Sequence, residues 1–196
     1  MSASTVNNKE SKIWKFTEVQ KGLLLFAAKV ELEIASQAKK TAETSETSES
    51  SDSSDTDSPV VSAPVEIEKG GKELLKMYEK YAKFLHRLRK VEIEDTVFVH
   101  CSIMFKKVMK KRQKNLKQKD ALKVFAACLY LSFKYVVDDL LFYVEDYARL
   151  TGINQKLVEI LEVAIVVNIL AFDMNYKAED YKLERANLEA VGSSLD

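Results

Sequence analysis

Apolar residues recur at helical spacing near the start of the chain. Over about residues 10 to 39 they lie three to five positions apart, at Trp14, Val19, Leu23, Phe26, Val30 and Ile34. This spacing predicts an amphipathic helix with a broad apolar face. Alone in water such a helix is marginal, so it needs a covering surface, either the rest of this chain or a partner. We favour docking on the rest of the chain.

Three more helical patterns follow from residue 72 onward. The first, about residues 72 to 89, and the second, about 95 to 111, each carry one apolar stripe, as surface helices do. The third, about 119 to 136, has almost no polar face. Because a helix that is apolar on all sides must be surrounded by others, this third helix is predicted to be the centre of a bundle.

Capping residues delimit two further helices. Asp138 and Asp139 are candidate N-caps of a short fourth helix, and Gly152 suits the left-handed turn that ends it. Asn154 is placed to cap a fifth helix, which runs to about Leu170 and is apolar enough to bury two faces. Few glycines or prolines interrupt these segments, so the domain is predicted to be all-α.

A polar segment separates the first helix from the others. Residues 41–59 contain eleven Ser or Thr and six acidic residues, and no bulky apolar side chain. Such a segment cannot offset its ordering entropy, which predicts a disordered linker that ends near Gly70 and Gly71. Within it, Ser58 precedes Pro59 and is a candidate phosphorylation site, although such dipeptides arise by chance and we favour a plain solvated spacer.

The chain is thus predicted to have four parts. These are an N-terminal amphipathic helix over residues 1–40, a disordered acidic Ser/Thr-rich linker over 41–69, a helical domain over 70–176, and a C-terminal helix or tail over 177–196. In the last part Leu188 is a predicted anchor, together with Tyr181.

Composition narrows the class of function. Thirty cationic side chains balance thirty anionic ones, so no global field attracts a polyanion.

Cys101 and Cys128 have no CxxC spacing, which predicts buried free thiols in a reducing compartment. No apolar run approaches the roughly 18 residues that a membrane span needs. His86 and His100 lack metal-ligand partners on their helices, no serine stands in a nucleophile elbow, and no glycine-rich phosphate loop occurs. We therefore expect no catalytic residue, metal, cofactor or small-molecule substrate.

Particular motifs narrow the fold further. Residues 126–139 read AACLYLSFKYVVDD, residues 142–162 read FYVEDYARLTGINQKLVEILE, and residues 170–174 read LAFDM. They resemble the third to fifth helices of the single-box, PHO-type cyclins, and residues 94–104 are compatible with the second helix. The resemblance covers roughly residues 72–176, and it implies a five-helix cyclin-box bundle around a central apolar helix.

The resemblance also implies a function and a site. In cyclins, a lysine that ends the third helix and a glutamate on the fifth face a kinase across an apolar groove, and these positions correspond to Lys134 and Glu162. Leu131, Tyr135 and Val166 would line the groove. The implied protein is a regulatory subunit of the nucleus or cytoplasm, which forms a heterodimer with a cyclin-dependent protein kinase and activates it.

Two features depart from the family pattern. Nine residues separate Glu162 from Phe172, one more than is usual, so either the fifth helix carries a bulge or Glu162 is displaced from the family's glutamate. The first helix of the box also lacks the Met-Arg-x-x-Leu-x-x-Trp pattern with which some cyclins recruit substrates. No such substrate-docking patch is assigned.

Two other functions compete with the kinase regulator. Residues 106–119 include eight Lys or Arg, and this basic patch would suit a nucleic-acid or transcription adaptor with a cyclin-like fold. Its leading members are Lys106, Lys107, Lys110, Lys111 and Arg112. Because this patch has no interleaved aromatic residues for base stacking, we favour a solvated helix end over nucleic-acid binding. The third possibility is a scaffold bundle that docks through its Trp14 helix.

Overall fold

The computed structural model describes residues 15–44, 67–112, 115–137 and 143–195. Predictions for Trp14, Ser58 and most of the linker lie outside these residues. The described residues form seven α-helices and no strand, which confirms the all-α class. The helices are α1 (Glu18–Thr44), α2 (Ile67–Arg87), α3 (Asp95–Arg112), α4 (Ala121–Val136), α5 (Val144–Thr151), α6 (Gln155–Val163) and α7 (Ala178–Ser193).

Helix α4 is the centre of the bundle, as its uninterrupted apolar run predicts. All but a few of its residues are buried, and α1, α3 and α6 pack around it. Three aromatic rings meet the Phe125 ring edge-on, with centroids 5.1 Å away for Tyr81, 6.0 Å for Phe84 and 5.5 Å for Phe105. The short helix α5 is attached through Tyr147, whose hydroxyl donates to the Ala126 carbonyl at 2.7 Å.

Helix α1 packs against the rest of the chain, along α7, α2 and α3. Leu23 and Leu24 have no exposed surface. Helix α7 lies against α1 through Leu188, which is buried as predicted, while Tyr181 is half-buried. The predicted N-terminal and C-terminal parts therefore share one core with the helices between them.

Two predicted helix starts are wrong. Helix α2 begins at Ile67 and continues through Gly70 and Gly71, so these glycines do not mark the end of a linker. Two helical glycines cost only about 1 kcal/mol each relative to alanine, which the apolar stripe of α2 can offset. Helix α5 begins at Val144 with Tyr143 in the cap position, whereas the predicted caps, Asp138 and Asp139, lie outside the described residues.

The other end signals are confirmed. Gly152 ends α5 in the left-handed conformation, with φ of 73°. The Asn154 side chain accepts a hydrogen bond of 3.1 Å from the Leu157 N–H at the start of α6. These two residues set the turn between α5 and α6.

After Val163, α6 continues as a π-helical stretch, Ala164–Ile169. The Leu170 N–H donates to the Ile165 carbonyl at 2.8 Å, a bond that spans five residues instead of four. The fifth helix thus carries a bulge, one of the two explanations for its extra residue. The chain leaves the stretch through Ala171 and Phe172, whose φ angles of 50° and 63° are left-handed.

The prediction that this helix buries two faces is wrong. Ile160, Val163 and Val167 are 56%, 60% and 45% exposed, although Val158 and Ile165 on the inner side are buried. Helix α6 lies at the edge of the bundle, where α4 and α5 cover only one side. Its outer face is therefore apolar and open to solvent.

The remaining predictions concern thiols and membranes. Cys101 and Cys128 are buried free cysteines, as expected, and burial raises the pKa of both thiols. Among the described helices none is long and apolar enough to cross a membrane. The same residues include no group of three or more His, Cys, Asp or Glu that could hold a metal ion.

A candidate docking face between helices α4 and α6

Lys134 and Glu162 meet where α4 and α6 approach each other. Lys134 lies in the last turn of α4, where a cation interacts favourably with the helix dipole, and its ammonium forms an ion pair with the Glu162 carboxylate. Their side chains are 35% and 23% exposed. The two predicted kinase-contacting charges therefore share one surface, and both remain accessible.

The Tyr130 ring packs against the Lys134 ammonium of this ion pair. The Lys134 ammonium lies 5.6 Å from the centroid of the Tyr130 ring, a favourable cation–π distance. Tyr130 is buried, and burial raises the pKa of its hydroxyl to about 12, with the negative charges of Glu162, Glu145 and Glu159 adding to the shift. The Lys134 ammonium thus lies between the Tyr130 ring and the Glu162 carboxylate, and two further carboxylates, Glu145 and Glu159, act on the same tyrosine.

Two contacts hold the side chain of Tyr135, the residue that follows Lys134. Its ring stacks on the buried His100 ring at 5.1 Å with an interplanar angle of 23°, and its hydroxyl donates to the Asn175 side-chain oxygen. His100 in turn shares a hydrogen bond of 2.9 Å with the Ser132 hydroxyl. Burial lowers the pKa of His100 to about 4, so the imidazole is neutral at physiological pH.

The other predicted groove residues differ in accessibility. Val166 is partly buried and lies four residues after Glu162 on the same helix, whereas Leu131 is only 4% exposed. Leu131 therefore packs beneath the surface instead of lining it. An apolar cavity of about 220 Å³ opens elsewhere, between the end of α3 and the π-helical stretch, and its walls include Val108, Leu161 and Ile165. None of the five predicted site residues lines it.

Sequence reasoning missed several exposed apolar side chains. In addition to the outer face of α6, Tyr143 is 63% exposed and Phe172 is 70% exposed on its left-handed turn. The apolar run of α6 was visible in the sequence, but periodicity alone does not tell whether a neighbouring helix covers the second side. Exposed apolar groups of this kind are typical of protein-binding surfaces.

The basic patch is partly engaged within the molecule. Lys106 pairs with the buried Glu184, Lys107 pairs with Asp173 at 2.9 Å, and Lys111 donates to the Ile169 carbonyl at 2.6 Å. Lys110 and Arg112 are exposed. Lys106 and Lys107 are therefore neutralised by carboxylates of the same chain, whereas Lys110, Lys111 and Arg112 keep their charges at the surface.

Comparisons of the chain with models of known protein families, with curated proteins and with solved structures gave no significant match.

Proposed function

We propose that the chain is a cyclin-like regulatory subunit, which binds and activates a cyclin-dependent protein kinase through the face between α4 and α6. The observation that carries the proposal is the meeting of Lys134 and Glu162 at an accessible surface. Each residue was selected from a motif on a different helix, and the proposed mechanism requires that the two lie together. The proposal assigns no catalytic residue to this chain.

The ion pair has unused hydrogen-bonding capacity. An ammonium carries three donors and a carboxylate about four acceptor positions, so their mutual contact leaves both groups able to bind a further partner. The end of a kinase helix exposes unpaired carbonyl or N–H groups. Lys134 would donate to such carbonyls, and Glu162 would accept from such N–H groups, in charge-assisted hydrogen bonds.

Apolar groups beside the pair strengthen this mode of binding. The Tyr135 ring is 45% exposed and Val166 is partly exposed, and both provide surface from which a docked helix would displace water. Removing water lowers the local dielectric and strengthens the polar contacts that remain. Because Tyr135 is held by His100 and Asn175, little side-chain entropy is lost when the partner docks.

Activation then follows as a shift in the kinase's conformational population. A protein that contacts the active position of a mobile kinase helix more favourably than its inactive position stabilises the active state. In that state the glutamate of the kinase helix pairs with the lysine that positions ATP. A differential affinity of a few kcal/mol changes the active fraction substantially.

Affinity purification of the tagged full chain from its native cells tests the proposal. We expect a protein kinase and kinase activity to co-purify, and we expect Lys134→Glu or Glu162→Lys to remove both without unfolding the chain. Lys156→Glu is the matched control, because Lys156 is exposed on α6 away from the ion pair. Recovery of no kinase, or normal recovery with both charge reversals, would refute the proposal.

A further inference from the structure

A larger cleft lies between α2 and the turn that joins α5 to α6. It has a volume of about 830 Å³, and its walls come from α2, the starts of α4 and α6, and the turn. Met77, Leu122, Ile153 and Leu157 give it an apolar floor of partly buried side chains. None of these residues belongs to the docking face between α4 and α6. We call this site the α2 cleft.

The rim of the α2 cleft is cationic. Six of its lining side chains are cationic and two are carboxylates, so the lining has a net charge of four positive units, although the whole chain is neutral. The cationic residues are Lys76, Lys80, Lys83, Arg87, Lys119 and Lys123. A cleft lined by one sign of charge concentrates ligands of the opposite sign.

Part of this charge is already compensated. Lys80 binds Glu31 at 2.7 Å, Lys83 pairs with Glu79 at 3.8 Å, and Lys123 binds Asp120 at 2.8 Å. Arg87 donates to the neutral Thr151 carbonyl at 2.7 Å, a contact that fixes the guanidinium at the rim without cancelling its charge. Lys76 and Lys119 are exposed. The rim therefore combines one positioned arginine with lysines whose charges face solvent.

We infer that the α2 cleft binds an acidic peptide segment of a partner protein, whose apolar side chains lie on the floor and whose carboxylates meet the rim. The volume is within the roughly 300–1,000 Å³ range of ligand-binding pockets. The apolar floor favours a peptide over a nucleic acid, because sugars and phosphates gain nothing there. Phe84 is the one aromatic residue of the lining and is 4% exposed, so the cleft offers no platform for base stacking.

Fluorescence anisotropy with a synthetic probe tests this inference on the full chain. The probe is a fluorescein-labelled peptide in which glutamates alternate with leucines. We expect saturable binding that weakens with added salt, and a roughly tenfold loss of affinity in the double variant Lys76→Glu with Lys119→Glu. The double variant Lys110→Glu with Arg112→Glu makes the same charge change on α3 and should bind the probe normally.

A second pair of measurements tests the floor. A probe with serines in place of the leucines should bind at least several-fold more weakly, and Met77→Gln should weaken only the leucine probe. Equal binding of the two probes would overturn the inference, because it would show unspecific attraction of anions. Tighter binding of single-stranded RNA, lost in the Lys76→Glu and Lys119→Glu variant, would also overturn it.

The chain's own acidic segment is the remaining competitor. In a further variant, Glu46, Glu49, Asp52, Asp55 and Asp57 are replaced by Asn or Gln. If the probe binds only to this variant, the occupant is the chain's own segment and the inference of a partner's segment fails. The probe experiment contains no kinase, so its outcome is independent of the function proposed for Lys134 and Glu162.

Discussion

The Gly22 α-carbon packs directly against the Leu188 carbonyl, which joins the backbones of α1 and α7. A Cβ atom at Gly22 would lie 2.1 Å from that oxygen, and a Cβ atom at Gly192 would lie equally close to the Glu18 carbonyl. No L side chain fits at such distances, so both glycines are required for their small size. The crossing of α1 and α7 thus depends on two backbone-to-backbone contacts.

Gly22→Ala is expected to destabilise the protein. The methyl group forces the two helices apart, and overpacking of this kind costs roughly 1–3 kcal/mol in the free energy of unfolding. Gly71→Ala is the matched control, because a Cβ there meets nothing within 4 Å, and it should stabilise α2 by up to about 1 kcal/mol. Urea unfolding monitored by circular dichroism measures both. Equal effects of the two variants would contradict the predicted contact.

Loss of Lys80 should also destabilise the fold. Glu31 has a side chain only 2% exposed, and both of its oxygens accept from the Lys80 ammonium, at 2.7 and 2.8 Å. Lys80→Met leaves this buried carboxylate unpaired, which costs roughly 3 kcal/mol. Addition of Glu31→Gln should recover most of that loss. Lys83→Met removes an exposed pair with Glu79 at 3.8 Å, and its effect on the unfolding free energy should be near zero.

Stability should depend on pH through His100. Burial lowers its pKa to about 4 from an ordinary value of 6.5, so the unfolded chain binds more protons between these values. The contribution is complete above pH 6.5 and is lost as pH falls towards 4, by up to roughly 3 kcal/mol. Unfolding free energies measured across this interval should therefore decrease steadily with falling pH.

A glutamine at position 100 separates this effect from the titration of carboxylates. His100→Gln should lower stability at pH 7, because it removes the stacked ring beside Tyr135. Its stability should nevertheless vary less than that of the wild type between pH 6.5 and pH 4.5. The same pH dependence in both proteins would assign the effect to other groups.

Exchange of the two charges at the docking face distinguishes a binding role from a structural one. Lys134→Glu alone places two carboxylates together, with a cost of about 1 kcal/mol or less because both positions are partly exposed. The double variant Lys134→Glu with Glu162→Lys restores the ion pair, so unfolding stability should return to near the wild-type value. Kinase binding should not return, because a carboxylate would then face the kinase carbonyls and an ammonium would face the kinase N–H groups. Recovery of both properties would indicate a purely structural pair.

Local signals predicted much of the fold. The central position of α4, the left-handed Gly152 and the Asn154 cap each depend on residues close together in the chain, so patterns and capping preferences were sufficient. The joint position of Lys134 and Glu162 was expected from the family resemblance. No spacing rule connects residues on two separate helices, so the sequence pattern alone does not predict their contact.

Contacts between distant segments were not predictable in this way. The close approach of Gly22 to Leu188 and the burial of Glu31 by Lys80 depend on how helices far apart in the chain cross. Glu184 is similarly buried on a helix that reads as charged, because Ser102 and Lys106 of α3 meet its carboxylate. A polar residue in a helical pattern indicates an exposed face only when the neighbouring helix offers no hydrogen-bonding or oppositely charged side chain to pair with it.

The dependence of α1 on α7 has a consequence during protein synthesis. Helix α1, with its buried Leu23 and Leu24, leaves the ribosome well before Ala178–Ser193, the helix that packs along it. Until α7 has emerged, the nascent chain exposes part of the hydrophobic surface of α1. Chains in this state are prone to aggregate or to bind chaperones. Premature termination before α7 should therefore yield insoluble fragments rather than a smaller working bundle.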